Sequence, residues 1–460
     1  MAGRLVVASN RVETPGESRA GGLAVALRDA LAQRGGVWFG WSGDTVERET
    51  RGVRHFTEGN VEFALADLTL PEYEGYYLGY ANRALWPVFH YRVDLAHFDE
   101  SDFAAYEQVN RRFARLLAPF TRPDDMVWVH DYHFLLMGQE LRASGWRGRM
   151  GFFLHVPFPA PEVFSALPQH QRLALGLAAF DLVGFQTDRD TANFRRYLVE
   201  NAGAEILEDG RLRVFDQVLR AATFSIGVDP DDVAAQAEGE EGVAAAARVG
   251  KITDHRALVI GVDRMDYSKG LPQRMEAFGR MLDDHEELRG RVSFLQIAPP
   301  SRESVDAYQV LREELDRLAG RINADYADLD WMPIRYLARS YDRGTLCGLY
   351  RLARVGLVTP LHDGMNLVAK EFVAAQTPED PGVLVLSEFA GAAEQMQAAL
   401  LVNPHDIAAT ADAIHRALSM PREERIERWQ DLIRNVQEHD IAWWRRSFLD
   451  ALEASAGVPA

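Results

Sequence analysis

The segment 359–371, with the sequence TPLHDGMNLVAKE, places acidic residues, a glycine and an asparagine where a strand meets a helix. The apolar run 355–358 predicts a short buried strand, and 366–375 predicts a helix. The first N–H groups of a helix have no partner within the helix and can bind an anion. We therefore expect Asp363, Gly364 and Met365 to lie at the helix entry, beside a diphosphate.

The second acidic residue of this segment, Glu371, lies eight residues after Asp363. In a continuous helix this spacing corresponds to about 12 Å, which would let one carboxylate accept sugar hydroxyls and the other a ribose diol of the same ligand. The alternative is an N-capping aspartate followed by an ordinary surface glutamate. The motif alone leaves both interpretations open.

A second motif, GVDRMDYSKG at 261–270, follows another predicted strand and contains two cations, Arg264 and Lys269. A guanidinium and an ammonium at a strand end suit a diphosphate, with each charge-assisted hydrogen bond contributing about 1.5–3 kcal/mol. The alternative is that these are surface charges paired with Asp263 and Asp266. Neither a dinucleotide-binding glycine motif nor a P-loop occurs in the chain.

Polar residues also end predicted strands in the N-terminal half, at 9–11 (SNR), 130–133 (HDYH) and 155–159 (HVPFP). A metal site built from the two histidines and the aspartate of 130–133 is an alternative, but adjacent residues of an extended chain point to opposite sides. The pair Gly21-Gly22 precedes a predicted helix and would let backbone approach a ligand closely. The alternative for this pair is a simple tight turn. The sequence DLD at 328–330 resembles the metal-binding pair of some sugar-nucleotide enzymes but has no companion motif, so we expect no metal there.

Composition limits the kind of partner. The 460 residues are 47% hydrophobic and 26% charged, with a net charge of −18 and a pI near 5.2. The excess of acidic residues argues against nucleic acid and anionic membrane as partners. The single cysteine excludes an intrachain disulfide, and neither a secretory leader nor a membrane-spanning run is apparent, so we expect a cytoplasmic protein.

Short apolar runs alternate with helical patterns along the whole chain, which predicts an α/β protein with two Rossmann-like parallel sheets facing a central cleft. We expect an N-terminal domain over 1–228, a second domain over 229–436 and a terminal helix over 437–460 that packs on the N-terminal domain. The Ala- and Glu-rich stretch 229–256 is expected to be a helix plus linker. The predicted strands are 5–8, 37–39, 126–129, 151–154, 182–185, 257–262, 292–297, 355–358 and 383–386.

Taken together, these motifs resemble those of the trehalose-6-phosphate synthases, which are retaining glycosyltransferases of the two-domain GT-B type. The resemblance covers nearly the whole chain, and many motifs in one order are far more specific than any one of them. The matching segments, in chain order, are SNR, AGGLAVAL, FGWSG, LWPVFHYR, VWVHDYHFL, GFFLHVPFPAPEVFSALP, GFQT, SIGVDP, DRMDYSKGLPQR, APPSR, INADY, LVTPLHDGMNLVAKE and LVLSEFAGAA.

The resemblance implies transfer of glucose from a nucleoside diphosphate glucose, most often UDP-glucose, to glucose 6-phosphate with retention, giving trehalose 6-phosphate. It implies no metal and no cofactor, because the nucleotide sugar is a substrate. The family mechanism is attack on the face from which the diphosphate departs, with the departing phosphate taking the proton of the acceptor. A separate trehalose-6-phosphate phosphatase would carry out the next step.

The resemblance also implies roles for individual residues. Catalytic roles fall to His155, Asp131, Arg264, Lys269 and Asp363. The nucleotide sugar would be bound by Gly21, Gly22, Arg264, Lys269, Tyr341, Asp363, Gly364, Met365, Asn366, Leu367, Val368 and Glu371. Glucose 6-phosphate would be bound by Arg11, Tyr77, Trp86, Asp131 and Arg302.

Two departures from the family pattern affect the nucleotide base: His362 replaces a frequent arginine, and Tyr341 replaces a common phenylalanine. The sequence therefore leaves the choice among uracil, guanine and adenine open. Two alternative functions also stay open, namely a sibling synthase acting on another phosphorylated acceptor such as glycerol 3-phosphate, and a non-catalytic paralogue that binds sugar phosphates. The oligomeric state is open as well, a homo-oligomer included.

Overall fold

The structure is a computed structural model that describes residues 3–14, 22–49, 52–254, 256–301 and 306–455. Its internal contacts divide the chain into two compact units. Unit 1 comprises Met1–Ser225 and Trp444–Ala460, and unit 2 comprises Ile226–Trp443. The division after Ser225 lies close to Val228, where the sequence suggested a boundary.

Unit 1 is built on a ten-stranded sheet in the order β3-β4-β2-β1-β5-β6-β7-β10-β9-β8. The strands from β4 to β10 in this order pair in parallel, whereas β3, β9 and β8 pair antiparallel at the two edges. The bounds are β1 Leu5–Arg11, β2 Gly36–Val46, β3 Arg54–Glu58, β4 Val61–Thr69, β5 Met126–His130, β6 Met150–Phe153, β7 Leu182–Phe185, β8 Glu205–Ile206, β9 Leu212–Val214 and β10 Gln217–Thr223.

The helices of unit 1 lie in the connections between its strands. They are α1 Gly22–Arg34, α2 Leu70–Glu72, α3 Trp86–Phe89, α4 Glu100–Leu117, α5 Met137–Ala143, α6 Pro161–Phe164, α7 His170–Ala178 and α8 Asp188–Ala202. A π-helix, Tyr73–Leu85, lies between α2 and α3. Such wide turns often occur at functional sites.

Unit 2 has a six-stranded parallel sheet in the order β13-β12-β11-β14-β15-β16. Its strands are β11 Ala257–Val262, β12 Val292–Ile297, β13 Ile334–Leu337, β14 Val355–Val358, β15 Val383–Ser387 and β16 Leu400–Val402. Its helices are α9 Pro230–Glu238, α10 Glu240–Ile252, α11 Leu271–Asp284, α12 Asp306–Tyr326, α13 Arg343–Leu352, α14 Leu367–Ala375, α15 Ile407–Ser419 and α16 Arg422–Glu438. The last helix, α17 Ile441–Glu453, passes from unit 2 into unit 1 at Trp444.

Both sheets are parallel at their centres, so the predicted fold class is confirmed. The stretch 229–256, expected to contain a linker, is instead occupied mainly by α9 and α10, which both pack against α13. Alanine and glutamate favour helix, and Gly239 separates the two helices without adding a flexible segment. The linker prediction was therefore wrong.

The C-terminal helix α17 completes the core of unit 1. Trp444 and Phe448 are fully buried, and both rings lie against Trp128 of β5, with centroids 5.1 and 4.7 Å from it. The amphipathic spacing of these residues in the sequence indicated such a buried face. None of the helices in the described ranges has the length and apolar character needed to cross a membrane.

Candidate active site

The strand order of unit 2 creates a switch point between β11 and β14, because the chain leaves β11 toward β12 on one side and later returns to β14 on the other. Ligands of open parallel sheets bind beyond the carboxyl ends of the strands at such a point. The DRMDYSKG and DGMN motifs follow these two strands directly. The topology therefore brings the two predicted motifs together.

Lys269 and Asp363 form an ion pair at this point, with Nζ 2.5 Å from Oδ2. The side chains are only 11% and 13% exposed, so neither is an ordinary surface charge. Asp266, the alternative partner from the sequence, accepts hydrogen bonds from the Ser268 amide and the Tyr308 hydroxyl. Arg264, which follows β11, is an exposed side chain.

The backbone around Asp363 corrects the interpretation of Asp363 as a helix cap. Asp363 bridges to Ala390 after β15, and the N-cap of α14 is Asn366, in the left-handed region with φ 70°. Asp363 therefore precedes the helix instead of starting it, and the 12 Å helical spacing to Glu371 does not apply. The segment that it begins contains Gly364, Met365, Asn366, Leu367 and Val368 and leads into the first turn of α14.

A buried arginine, Arg274 of α11, connects the strand ends beneath this segment. Its guanidinium lies 2.9 Å from the Asp263 carboxylate and donates to Thr359 Oγ1 and Gln296 Oε1, both at 3.1 Å. It also reaches the carbonyl of Lys269 at 3.4 Å. Arg274 is fully buried and ties together the ends of β11, β12 and β14.

Sequence reasoning missed this role, although Arg274 is the last residue of the DRMDYSKGLPQR run. Its place in the first turns of α11 was the available signal. Gly270, which precedes that helix, has φ +64°, and a Cβ there would lie 2.4 Å from the Thr359 carbonyl. The close contact between the Lys269 loop and the β14 end thus requires glycine.

Glu371 lies on α14 and is half-buried, so it is not an ordinary surface glutamate. Desolvation raises the pKa of its carboxyl, and the positive charge of Arg343 on α13 partly offsets the rise. The neighbouring Lys370 is fully buried and donates to the Ile226 carbonyl and to Gln395 Oε1, at 2.8 and 2.7 Å. Burial lowers the pKa of Lys370 to about 7.

Two predicted nucleotide-sugar residues lie apart from this cluster. Tyr341 follows β13, two strands away from β11, and its ring lies under the Arg339 guanidinium at 4.6 Å. Gly22 is the first residue of α1 in unit 1. The predicted residues Gly21 and Arg302 lie outside the described residues.

Unit 1 has its own switch point, between β1 and β5, because β2 and β5 lie on opposite sides of β1. Asp131 follows β5 with φ 74° and ψ 167°, a region that is essentially reserved for glycine. Its amide donates to the Phe153 carbonyl at 2.8 Å, and its Oδ1 accepts from the His155 amide at 3.2 Å. A strained residue held by two hydrogen bonds at a strand end indicates a functional position.

The predicted acceptor residues converge on the segment that Asp131 begins. The Tyr77 ring, from the π-helix, stacks on His133 at 5.8 Å and lies 5.4 Å from Trp41 of β2. The buried Trp86 ring lies 5.6 Å from the Tyr132 ring.

Arg11 ends β1 opposite Trp41, next to the same group of rings. Its guanidinium occupies the space where a side chain at Gly43 would lie, since a Cβ there would come within 2.3 Å of Nη1. Gly43 has φ +92°, which glycine adopts readily. Unit 1 thus places a cation, two aromatic rings and a carboxylate near the ends of the neighbouring strands β1 and β5.

His155, after β6, faces a second histidine that the sequence did not single out as its partner. His130 Nδ1 lies 3.0 Å from His155 Nε2, and the rings are stacked 25° apart. Burial holds the pKa of His130 well below its usual value and lowers that of His155 to about 3. Both imidazoles are therefore neutral near pH 7, and in the hydrogen bond between them one ring nitrogen carries the proton and the other accepts it.

This pairing also bears on the metal alternative. His130 contacts His155, and His133 packs on Tyr77, so the described ligand atoms at 130–133 do not converge on one point. The DLD turn at 328–330 is exposed, and Asp330 pairs with Arg256 at 2.8 Å.

Comparison with known proteins places these features in a family. Residues 4–454 match the family model described as Glycosyltransferase family 20. A Sinorhizobium fredii protein described as trehalose-6-phosphate synthase is 48% identical over 458 residues, covering 98% of this chain and 99% of that protein.

Solved structures agree with this match. An alpha,alpha-trehalose-phosphate synthase (UDP-forming) from Burkholderia xenovorans in complex with glucose-6-phosphate is 47% identical, with a TM-score of 0.94 over 98% of this chain and 100% of that one. A structure described as trehalose-6-phosphate from E. coli bound with UDP-2-fluoro glucose is 42% identical, with a TM-score of 0.96 over 99% and 100% of the two chains. The two parallel sheets are thus those of a GT-B glycosyltransferase. The chain belongs to glycosyltransferase family 20.

Proposed function

We propose that this chain is a retaining glucosyltransferase that moves glucose from UDP-glucose to glucose 6-phosphate, forming trehalose 6-phosphate and UDP. The observation that carries the proposal is the buried Lys269–Asp363 pair at the β11–β14 switch point of unit 2. Family membership and the ligands named in the two related structures support the identity of both substrates.

The nucleotide sugar is assigned to unit 2. Lys269 and Asp363 neutralise each other's charge in the structure. A bound diphosphate can accept hydrogen bonds from the Lys269 ammonium in place of Asp363, and the Asp363 carboxylate can then accept hydrogen bonds from sugar hydroxyls. Arg264, which like Lys269 follows β11, supplies a second cation. The N-terminus of α14 favours a negatively charged ligand, because its first N–H groups carry partial positive charge. Glu371, further along α14, is assigned to the ribose hydroxyls, and Tyr341 is assigned to the nucleotide base.

Glucose 6-phosphate is assigned to the strand ends of unit 1. Arg11 supplies the charge for the phosphate, while Tyr77 and Trp86 supply apolar faces for the sugar ring. The family resemblance adds Arg302, which lies outside the described residues, as a second residue for glucose 6-phosphate. The strained Asp131 presents an acceptor for a sugar hydroxyl. Binding the phosphate far from the reacting hydroxyl provides energy that orients the acceptor.

Neutral His155 fits a reaction that needs no protein nucleophile. With a pKa of about 3, its imidazole is not a proton-donating acid near pH 7, but it can form a hydrogen bond to the transferred sugar. The proton of the acceptor hydroxyl can pass to the leaving diphosphate oxygen as the new bond forms. The chain's contribution is then positioning and charge stabilisation.

A panel assay tests this proposal. Purified chain is incubated with UDP-, GDP- and ADP-glucose against glucose 6-phosphate and glycerol 3-phosphate, and products are identified by NMR. We expect an α,α-linked disaccharide phosphate from UDP-glucose and glucose 6-phosphate. Preferred use of glycerol 3-phosphate would instead indicate the sibling synthase, and binding without turnover would indicate the non-catalytic paralogue.

Single substitutions test the assigned residues. Arg264→Ala should lower kcat/KM by about 10- to 150-fold, corresponding to one charge-assisted bond of about 1.5–3 kcal/mol. Arg280→Ala, which removes an exposed arginine of the same unit, is the matched control. Unchanged activity in Arg264→Ala would refute its role at the diphosphate.

Arg302→Ala should chiefly raise KM for glucose 6-phosphate. An effect confined to KM for the nucleotide sugar would overturn the assignment of Arg302 to glucose 6-phosphate.

A further inference from the structure

A second group of potential ligands lies in unit 2, at the other end of α11. His285 forms the C-cap of α11, Glu287 lies in the following 3-10 turn, and His415 lies on α15, which packs against α11. In the part of the chain that the structure describes, a metal ion could be shared by this group of His, Cys, Asp or Glu side chains, because their ligand atoms lie close together.

The ligand atoms already lie near the spacing that a metal ion requires. His285 Nδ1 and His415 Nε2 are 3.4 and 3.9 Å from Glu287 Oε1, and all ligand atoms lie within 4.8 Å of one another. Tetrahedral zinc, with bonds of about 2.0–2.2 Å, holds its ligand atoms about 3.4 Å apart. The carboxylate therefore needs little movement.

The histidine rings need a larger adjustment. They are stacked with centroids 3.6 Å apart and planes 6° apart, and parallel planes cannot both contain the same ion. Rotation of one ring about its Cβ–Cγ bond removes this conflict. The His415 side chain is 34% exposed and the Glu287 side chain 63%, so there is room for this rotation and for water as a fourth ligand.

Charge also favours a cation at this point. The Glu287 carboxylate lies beside both imidazoles, 3.4 Å from His285 Nδ1 and 3.9 Å from His415 Nε2, and provides a negative charge there. Two imidazoles stacked this closely would repel each other if both were protonated. A divalent ion shared by neutral imidazoles and a carboxylate avoids that repulsion.

We propose that His285, Glu287 and His415 bind a divalent transition-metal ion of the zinc type, with water completing a tetrahedral site. Two imidazoles and one carboxylate form the ligand set that such ions prefer over magnesium or calcium. The ion joins the C-terminal end of α11 to α15. Because α11 begins directly after the Lys269 loop and His285 lies about 20 Å further along, the ion acts on the stability of unit 2 and not on the sugar chemistry.

The test uses the full chain, free of any affinity tag and treated with a chelator. Calorimetric titration with ZnCl2 at pH 7.5 should give one ion per chain, and the affinity should fall at pH 5.5, since metal binding requires unprotonated imidazole. His285→Gln and His415→Gln should each weaken binding at least tenfold. His55→Gln, which removes an exposed histidine beside Glu62 in unit 1, is the matched control.

A second measurement does not depend on the folding of any variant. Co²⁺ bound to the unchanged chain should give the intense visible absorption of tetrahedral coordination, and Zn²⁺ should abolish it. Zinc affinity equal to that of the unchanged chain in either glutamine variant would overturn the proposal, as would a weak octahedral Co²⁺ spectrum. Because the chelated chain should retain glucosyl transfer, failure of this proposal and failure of the proposed enzymatic function are distinguishable.

Discussion

Replacing Arg274 by methionine should unfold unit 2 at a markedly lower temperature. The substitution removes the guanidinium that lies 2.9 Å from Asp263 and leaves that carboxylate buried without its countercharge. Removing one partner of a buried pair costs about 3–5 kcal/mol. For a domain of 150–250 residues, each kcal/mol lowers Tm by about 2–4 °C, so we expect a decrease of about 6–20 °C.

Cys347 provides a readout specific to unit 2. It is the only cysteine, it is buried in α13, and burial raises the pKa of its thiol to about 12. Alkylation of this thiol during a thermal ramp therefore reports the opening of unit 2 independently of unit 1. kcat/KM should fall as well, because Arg274 also holds the carbonyl of Lys269.

A double-mutant cycle separates the buried charge from lost packing. Asp263→Asn keeps an oxygen for the amide of Asn366, which donates to Asp263 Oδ1 at 3.2 Å. Combined with Arg274→Met, it removes both charges and should recover about half of the lost stability. Arg280→Met on the same helix, where the arginine is exposed, should change Tm by under about 2 °C. Additive effects in the cycle, or equal effects of the two methionine variants, would refute the reasoning.

Two further predictions concern unit 1. Because the pKa values of His130 and His155 are both lowered, the unfolded state binds more protons below about pH 6.5, and the stability of unit 1 should fall from there toward pH 3. His130→Leu should reduce this dependence, whereas His97→Leu, at an exposed site, should leave it unchanged; equal slopes in acid denaturation would contradict the assignment. Asp131→Gly should retain or raise Tm by relieving backbone strain of about 1–3 kcal/mol, yet lose glucosyl transfer. A variant that is both active and more stable would show that the carboxylate is dispensable.

The sequence predicted the central strands of both sheets well, because strands buried on both faces are continuous apolar runs. The edge strands were missed, and so were the parallel strands β4 and β10, where charged residues interrupt the apolar runs. β3 is exposed along its whole length, β8 has two residues, and β13 and β16 are short, so none of them carries a strong apolar or alternating pattern.

The candidate site was predictable to the extent that its residues follow strands directly. Lys269 and Asp363 belong to motifs that end neighbouring strands, and the sequence brought them to the same region. Their direct pairing, the strained backbone of Asp131 and the histidine behind His155 depend on long-range packing, which local patterns do not encode. The same holds for Arg274, whose partners come from three different strands.

The two-part construction of unit 1 affects the order in which the protein can fold. Domains generally fold as units while the chain is being synthesised, starting from the N-terminus. Here the first 225 residues leave the ribosome without Trp444 and Phe448, which fill the layer beneath β5 and β6. All of unit 2 is translated before those two side chains become available. The N-terminal part of unit 1 therefore stays incomplete, with apolar surface exposed, until α17 has been synthesised and can pack against it.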